Sequence, residues 1–236
     1  MSTFATLPKE NFSTAKEYFE KNIFKHVTAA TTSDDSIIVY QAYKPEIAEH
    51  AVKHQTFENC PEFSMTRMTW LKPNFLWMMY RCDYGRSKNQ ERILALHINK
   101  DYFEDVILAN GVLSHYNPEM SEYYGSKENW EQVIEKQKKS DICVRVQWDP
   151  YHEPNFNKLE GVRAIQLGLK GKIVKEMMTS GNLKKIEDIT TYATEQYALW
   201  KEGNDMVIPV ERHYPISSED TRRRLQIAQD LKNSNK

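Results

Sequence analysis

Residues 66–81 hold the densest group of side chains suited to anion chemistry, in the order T-R-M-T-W-L-K-P-N-F-L-W-M-M-Y-R. Lys72 ends a stretch that alternates like a β-strand, and Pro73 keeps it extended. Because Pro73 suits the first turn of a helix, we expect a helix N-terminus with free backbone N–H groups at Asn74 and Phe75. A lysine beside a helix N-terminus is typical of a site for an anion such as phosphate.

Two arginines and one tryptophan flank this lysine. Arg67 and Arg81 carry forked donors that suit phosphate or carboxylate. Trp70 is predicted to stack on a nucleobase or to form a wall of the cleft. The run Leu76–Met79 is apolar on all sides and is expected to pack in the core. The segment therefore predicts a polar site at the junction of a strand with a buried helix.

Polar side chains also interrupt two later apolar strands. Strand alternation puts Arg145, Gln147 and Asp149 on one face, and puts Arg163 and Gln166 on opposite faces of the next strand. An arginine within an apolar strand lies at a sheet edge or points into a cleft. We take Arg163 and Gln166 as candidates for binding phosphate or RNA.

Three histidines are candidates for general acid–base chemistry. His54 lies on a predicted helix, and His115 lies in a loop-like stretch after a predicted helix. His97 lies in an apolar strand and is expected to be a core residue. His50 and His54 share one helix face, but no third ligand is apparent, so no metal site is predicted.

The sequence lacks the motifs that identify the common nucleotide-binding folds. It has no G-x-G-x-x-G loop, no P-loop and no G-x-S-x-G elbow. Residues 158–161 read K-L-E-G, which departs from the K-x-D-G motif of ATP-dependent ligases by a Glu in place of Asp. A ligase mechanism that uses K-x-D-G is therefore not predicted.

Composition restricts the class of protein. The 236 residues include 32 Lys and Arg and 33 Asp and Glu, so a globally basic nucleic-acid binder is excluded. The three cysteines are odd in number and far apart, which favours a reducing compartment, the cytoplasm or also the nucleus. No apolar run approaches the roughly 18 residues of a membrane span, and no secretory signal is recognised.

Strands and helices that would position these residues follow from periodicity and turn residues. Strands are predicted at 36–43, 66–72, 91–98, 142–148 and 162–169. Helices are predicted at 13–25, 45–54, 74–81, 101–110 and 186–201. The two kinds of element mix without strict alternation, which predicts a single α+β domain with a mixed or antiparallel central sheet and flanking helices.

Domain organisation is predicted in three parts. Residues 1–35 form an N-terminal helical extension, residues 36–202 form the α+β domain, and residues 203–236 form a C-terminal extension with a solvated helix. The stretch 149–161 between the last two strands is expected to be a turn. No internal repeat and no linker divides the chain.

The sequence resembles the family called domain of unknown function 4291 over residues 36–200. The resemblance rests on the block at residues 67–81, on V-Y-Q-A-Y-K-P-E-I-A, Q-E-R-I-L-A-L and L-S-H-Y, and on V-R-V-Q-W-D-P and R-A-I-Q-L-G-L. Leu71, Asn74 and Ala164 depart mildly from the family pattern. The resemblance implies a domain boundary and motif positions, but no reaction.

We favour the hypothesis of an enzyme that processes RNA ends by phosphoryl transfer or joining, similar to an RNA ligase. Such chemistry needs cations for the phosphate and a general acid–base. The predicted catalytic residues are Lys72, His115 and His54. The predicted phosphate-binding and RNA-binding residues are Arg67, Arg81, Arg163, Trp70, Tyr43 and Gln166.

Two alternatives remain open. The first is an ADP-ribosyltransferase-like enzyme, in which Tyr43, Tyr80 and Gln166 would bind NAD; otherwise no cofactor is indicated. The second is an RNA-binding or nucleotide-binding module without catalysis, whose affinity would depend strongly on salt. RNA or a nucleotide is the expected partner, and the sequence indicates neither a membrane nor an obligate protein partner.

Overall fold

The computed structural model describes residues 3–22, 24–179 and 181–228. Its strands are β1 (Lys9–Asn11), β2 (Thr28–Ala29), β3 (Ser36–Tyr43), β4 (Thr69–Leu71), β5 (Arg92–Asn99), β6 (Gly111–Leu113), β7 (Ile142–His152), β8 (Lys158–Gly171), β9 (Leu183–Asp188), β10 (Val207–Pro209) and β11 (Arg212–His213). Its α-helices are α1 (Thr3–Thr6), α2 (Phe12–Asn22), α3 (Pro45–His54), α4 (Phe75–Cys82), α5 (Ser121–Tyr124), α6 (Lys127–Lys138), α7 (Lys172–Met177), α8 (Thr190–Lys201) and α9 (Glu219–Leu225).

Two main sheets form the centre of the fold. One is antiparallel with the strand order β3-β5-β9, and the other has the order β4-β8-β7-β6. In the second sheet β6 runs parallel to β7, while the other neighbours are antiparallel. The α+β class is therefore confirmed, although the strands divide between two sheets. A β-bridge between Tyr40 and Lys72 connects the sheets.

The sheet containing β3 is buried on both faces. Ile37 and Val39 pack in one apolar cluster, whereas Ile38 and Tyr40 pack in a second cluster on the other side. This arrangement explains why β3 reads as a continuous apolar run rather than as an alternation. The apolar part of this sheet is thus a support, and only the end of β3 from Gln41 to Tyr43 reaches the candidate site.

The sheet containing β8 has one buried face and one open face. Ile165, Leu167 and Leu169 of β8 pack in the first core cluster. Alternation puts Gln166 and Gly168 on the opposite face, which is open only along this part of β8, because Ala164 on the same side packs in the second core cluster. This open face is where the candidate site lies.

Several element boundaries differ from those predicted. Residues 183–188 form β9, so the predicted helix 186–201 begins only at Thr190. β7 and β8 extend through most of the stretch predicted as a turn, because they pair with each other as far as His152 and Lys158. The predicted strand 66–72 shortens to β4.

The predicted helix 101–110 is a π-helical segment, Tyr102–Leu108. Gly111 follows this segment and is the first residue of β6. A Cβ at Gly111 would approach Val146 Cγ2 to 2.8 Å, so close packing against β7 accounts for this glycine.

Both terminal segments pack into the body of the protein. Phe4 and Phe19 belong to the second core cluster, and β1 pairs with β10. The C-terminal helix α9 was predicted to be solvated, but it buries Arg224 and Leu225. The Arg224 guanidinium donates to backbone carbonyls that include that of Ala109, at 2.8 Å, which accounts for its burial. Residues 229–236 of that prediction lie outside the described residues.

Within the described ranges, no helix is both long and apolar enough to cross a bilayer.

Candidate functional site

A cleft of about 580 Å³ opens where β4 meets α4 on the open sheet face. The structure brings together six of the predicted site residues on its walls: Tyr43, Arg67, Trp70, Lys72, Arg81 and Gln166. Four of them come from the strand–helix junction. Tyr43 comes from the end of β3 and Gln166 from the middle of β8, because β4 lies beside both strands.

Lys72 is a nearly buried cation at the base of this cleft. Its side chain is 7% exposed, and Nζ has no hydrogen-bond or ion-pair partner among the described residues. Burial, and secondarily the positive charge of Arg81, lowers the pKa of Lys72 to about 8. The backbone of Lys72 is fixed by two hydrogen bonds with Tyr40. A fixed ammonium without a counterion is a binding position for an anion.

Gly168 allows Trp70 to lie across β8 beside the lysine. Trp70 faces Gly168 in the β4–β8 register, and Leu71 faces Leu167, so Lys72 comes next to Gln166. A Cβ at Gly168 would come within 3.0 Å of the Trp70 ring and within 2.6 Å of Met68 Sδ. The missing side chain therefore makes room for an indole on the sheet surface.

A hydrogen-bonded polar group spans β7 and β8 within the site. The amide Nε2 of Gln166 donates to Gln147 Oε1 at 2.8 Å and to Asp149 Oδ2 at 2.7 Å. Burial raises the pKa of Asp149, while the Gln166 hydrogen bond and the charges of Arg81 and Lys72 oppose that rise. The carboxylate is thus held near the cations without pairing directly with them.

The wall next to β3 is a network of neutral donors and acceptors. Gln41 Nε2 donates to Thr69 Oγ1 at 2.7 Å, and the Tyr43 hydroxyl lies 2.8 Å from the same oxygen. Burial raises the pKa of Tyr43, so its hydroxyl keeps its proton at neutral pH. This wall offers hydrogen bonds to a ligand without adding charge.

Arg67 and Arg81 are exposed at the mouth of the cleft. Neither guanidinium makes a hydrogen bond or an ion pair within the part of the chain that the structure describes. Both groups are therefore available to an incoming anion.

An adjoining cavity of about 280 Å³ contains Arg163 and His115. It shares Gln147 with the cleft, so the two spaces are neighbours on the same strand. Asp149 lines this smaller cavity rather than the cleft, and the charge of Arg163 acts on its pKa. The structure thus brings these two predicted residues beside the cleft rather than into it.

The other predicted candidates lie elsewhere. His54 is exposed at the end of α3, with its ring centroid 4.6 Å from that of His50, and it lines neither space. His97 is buried, as expected for a core histidine, with Nε2 at 2.9 Å from Glu187. Tyr80 stacks on His152 at 3.7 Å and does not line the cleft.

The predicted free helix N-terminus is occupied by the chain itself. Glu211 Oε1 accepts a hydrogen bond from the backbone N–H of Phe75 at 2.6 Å, and Oε2 accepts from Asn74 Nδ2 at 2.9 Å. Asn74 is the N-cap, so α4 begins at Phe75 rather than at Pro73. The prediction of a free backbone N–H group at Phe75 is therefore wrong, because the buried carboxyl group of Glu211 accepts its hydrogen bond.

Sequence reasoning missed two groups of the site. Gln41 and Thr69 were not singled out, although Gln41 lies two residues from Tyr43 on the same face of β3, and Thr69 is next to Trp70 in β4. Asp149 was noted only as part of a polar strand face. Among the described residues, no group of three or more His, Cys, Asp or Glu side chains is arranged to hold a metal ion.

The fold and the cleft define an α+β protein with a cation-rich polar site on an open sheet face. A family model, domain of unknown function (DUF4291), matches residues 26–214, and the chain belongs to this family. The match extends the expected boundaries at both ends and includes β2, β10 and β11. A search of curated proteins finds no match.

Proposed function

We propose that the protein is an RNA-end-processing enzyme, which transfers a phosphoryl group or joins RNA ends in the Lys72 cleft. The observation that carries this proposal is the nearly buried, unpartnered ammonium of Lys72, with two unpaired guanidinium groups at the mouth of the same cleft. A cation buried without a partner is costly unless a ligand supplies the opposite charge. Phosphate, which accepts from several donors at once, fits these three groups.

The lowered pKa of Lys72, about 8, gives the amine a chemical role besides binding. About one molecule in ten carries the neutral amine at pH 7, which can act as a nucleophile or general base. Asp149 is the nearby carboxylate that can exchange protons, and its position between strands β7 and β8 is fixed by Gln166. In this proposal, Lys72 in the cleft and Asp149 in the adjoining cavity perform the proton transfers.

Trp70 and the hydroxyl wall favour a nucleotide over a simple anion. The indole lies over Gly168 beside Lys72, where a base can stack on it. Thr69 and Tyr43 offer hydroxyl groups that suit the polar edges of a base or a ribose. His115 and Arg163 in the adjoining cavity are proposed to receive the second RNA end in a joining reaction.

The alternative of an NAD-binding, ADP-ribosyltransferase-like enzyme retains support from Tyr43 and Gln166, which line the cleft. Tyr80, the third residue of that hypothesis, stacks on His152 outside the cleft. A non-catalytic RNA-binding module would use the same cations. We favour the RNA enzyme, acting in the cytoplasm or nucleus, because Lys72 has the environment of a reactive amine rather than of a surface phosphate contact.

The test is a gel assay on short labelled RNAs with defined ends. Termini with 2′,3′-cyclic phosphate, 3′-phosphate or 3′-hydroxyl are combined with 5′-hydroxyl or 5′-phosphate, each alone, with ATP and with NAD. Lys72→Ala tests the cleft, and Lys53→Ala, at an exposed lysine of α3, is the matched control. We expect an altered or joined product that disappears with Lys72→Ala and persists with Lys53→Ala.

Unaltered RNA in all reactions would contradict the proposal. A rise in melting temperature with NAD, lost in Gln166→Ala, would then favour the NAD hypothesis. RNA binding that depends on Lys72 without any change to the RNA would favour the binding module.

A further inference from the structure

A second and larger cavity, of about 790 Å³, lies beside the cleft and is rich in cations. It lies between the open face of β7 and β8 and the helices α6 and α7. Its basic lining residues are Lys138, Arg145, Lys170, Lys172 and Lys175, with Asp141 as the single acidic residue among those that line it. We call this space the basic cavity.

The basic cavity and the Lys72 cleft share one continuous sheet face. Alternation along β8 puts Lys170, Gly168 and Gln166 on the same side, and the β7–β8 register has no irregularity between these positions. Met68 lines both spaces at their junction. From Lys170 to Gln166 the strand rises about 13 Å, which at about 3.4 Å per stacked nucleotide corresponds to about four nucleotides.

Two cations of the basic cavity are available to a ligand. Lys170 and Lys175 are exposed, and neither has an ion-pair partner in the described ranges. In contrast, Lys172 pairs with Glu176 at 3.2 Å, and Lys138 pairs with Glu135. Arg145 is buried and donates to Gln137 Oε1 at 2.8 Å, so it positions α6 against β7.

The lining also includes an apolar side. Met65, Met68 and Cys143 form a weakly polar side of the cavity next to the lysines. Methionine side chains adapt to flat and irregular partners. A surface that offers separate cations and an apolar side suits a chain of phosphates and bases better than an isolated inorganic anion.

We propose that the basic cavity binds the body of a single-stranded RNA whose reacting end lies at Lys72. This inference rests on the proposed function and adds the substrate class: an RNA strand that extends beyond its terminal nucleotide. Lys170 and Lys175 contact its phosphates, Trp70 separates the end site from the basic cavity, and Met68 contacts the bases between them.

The test compares a labelled dinucleotide with an octanucleotide that has the same end, by fluorescence anisotropy over a range of salt concentrations. The test variant combines Lys170→Ala with Lys175→Ala. The matched control combines Lys53→Ala with Lys201→Ala, which removes two exposed lysines that line neither space. All four side chains are exposed, so both variants are expected to fold.

We expect the test variant to bind the octanucleotide about tenfold more weakly at low salt, with a salt slope lower by about 1.4. The dinucleotide affinity should not change, and Lys72→Ala should weaken both RNAs. The inference would be overturned if the test variant lost equal affinity for both RNAs or kept the salt slope of the native chain. It would also be overturned if poly-glutamate competed as well as RNA, or if the octanucleotide bound no more tightly than the dinucleotide.

Failure of this inference is distinguishable from failure of the proposed function. An octanucleotide that binds through Lys170 and Lys175, but whose end is never altered, supports the basic cavity and contradicts the proposed function. If the protein alters RNA ends but its affinity for the octanucleotide does not depend on these lysines, only the inference about the basic cavity is contradicted.

Discussion

The backbone N–H of Phe75 donates a 2.6 Å hydrogen bond to Glu211, a residue 136 positions later in the chain. Glu211 is completely buried, and this burial raises its pKa to about 8. The hydrogen bonds from Asn74 and Phe75 oppose the rise, as does the charge of Arg212, while Glu10 adds to it. The helix that follows Lys72 is therefore fixed by a carboxyl group that titrates near neutral pH.

Glu211 is expected to make the stability of the protein fall as the pH rises from about 4.5 to about 8. The folded state holds the Glu211 proton more tightly than the unfolded chain does. The contribution of this proton to the free energy of unfolding is therefore complete below pH 4.5 and is lost as the pH passes 8. Its size is roughly 3–5 kcal/mol. Denaturant unfolding across this range should give a flatter pH dependence for Glu211→Gln than for the native chain.

The control for this measurement is Glu195→Gln, at an exposed glutamate of α8. It should follow the pH dependence of the native chain. If Glu211→Gln has the same pH dependence as Glu195→Gln, Glu211 does not titrate in this range.

Lys72→Met is expected to stabilise the protein while it abolishes RNA-end processing. Folding lowers the pKa of Lys72 to about 8. The charged ammonium therefore reduces the free energy of unfolding by its full amount below pH 8, and this reduction disappears as the pH rises toward 10.5. Removing the charge should raise the free energy of unfolding by about 2–3 kcal/mol at pH 7. Lys53→Met, at an exposed lysine, should change it by less than about 0.5 kcal/mol.

The stability gain of Lys72→Met should shrink when unfolding is measured near pH 10. A variant that is less stable than the native chain at both pH values would show that the ammonium has a favourable partner in the folded state.

Gly168→Ala is expected to displace Trp70 from the sheet surface. The added Cβ would come within 3.0 Å of the indole, and its contact with the flexible Met68 side chain is easier to relieve. We expect a stability loss of about 1–3 kcal/mol and an approximately tenfold loss of RNA affinity. The measurement is RNA binding by anisotropy, together with the tryptophan emission maximum.

Trp70→Ala provides the matching arm of a double-mutant cycle. Because both substitutions remove the same stacking surface, the double variant should lose little more affinity than Trp70→Ala alone. Fully additive losses would mean that Gly168 affects binding independently of Trp70.

His115 and His54 should differ in their effect on RNA joining. His115 lines the cavity beside the cleft with Arg163, whereas His54 is exposed at the end of α3 beside His50. His115→Ala is expected to lower the joining rate about tenfold or more, and His54→Ala is expected to leave it unchanged. Equal rates for both variants and the native chain would remove His115 from the proposed mechanism.

The strand–helix junction could be predicted from sequence because its information is local. Lys72, Trp70 and Arg67 lie within one short segment, where alternation and a proline fix the order of strand and helix. The family match, residues 26–214, includes the whole of the predicted range 36–200 and extends beyond it at both ends.

Long-range pairing explains what the sequence did not reveal. Glu211 reaches the start of α4 from a distant loop, and no spacing rule links these two positions. The end of β9, residues 186–188, was assigned to the following helix, and residues 183–185 to no element, whereas pairing with β5 decides the conformation of the whole strand. The two cavities beside β8 depend on which strands are neighbours, which only the folded chain determines.

The bridge between Tyr40 and Lys72 lets amide hydrogen exchange at these two residues report on the contact between the two sheets. The Tyr40 N–H donates to the Lys72 carbonyl at 2.7 Å, and the Lys72 N–H donates to the Tyr40 carbonyl at 3.2 Å. Both amide hydrogens exchange with solvent only when the sheets separate at this point. A ligand held by the Lys72 ammonium resists that separation, so amide exchange at Tyr40 and Lys72 slows together, although Tyr40 is buried beneath the cleft floor and never meets the ligand.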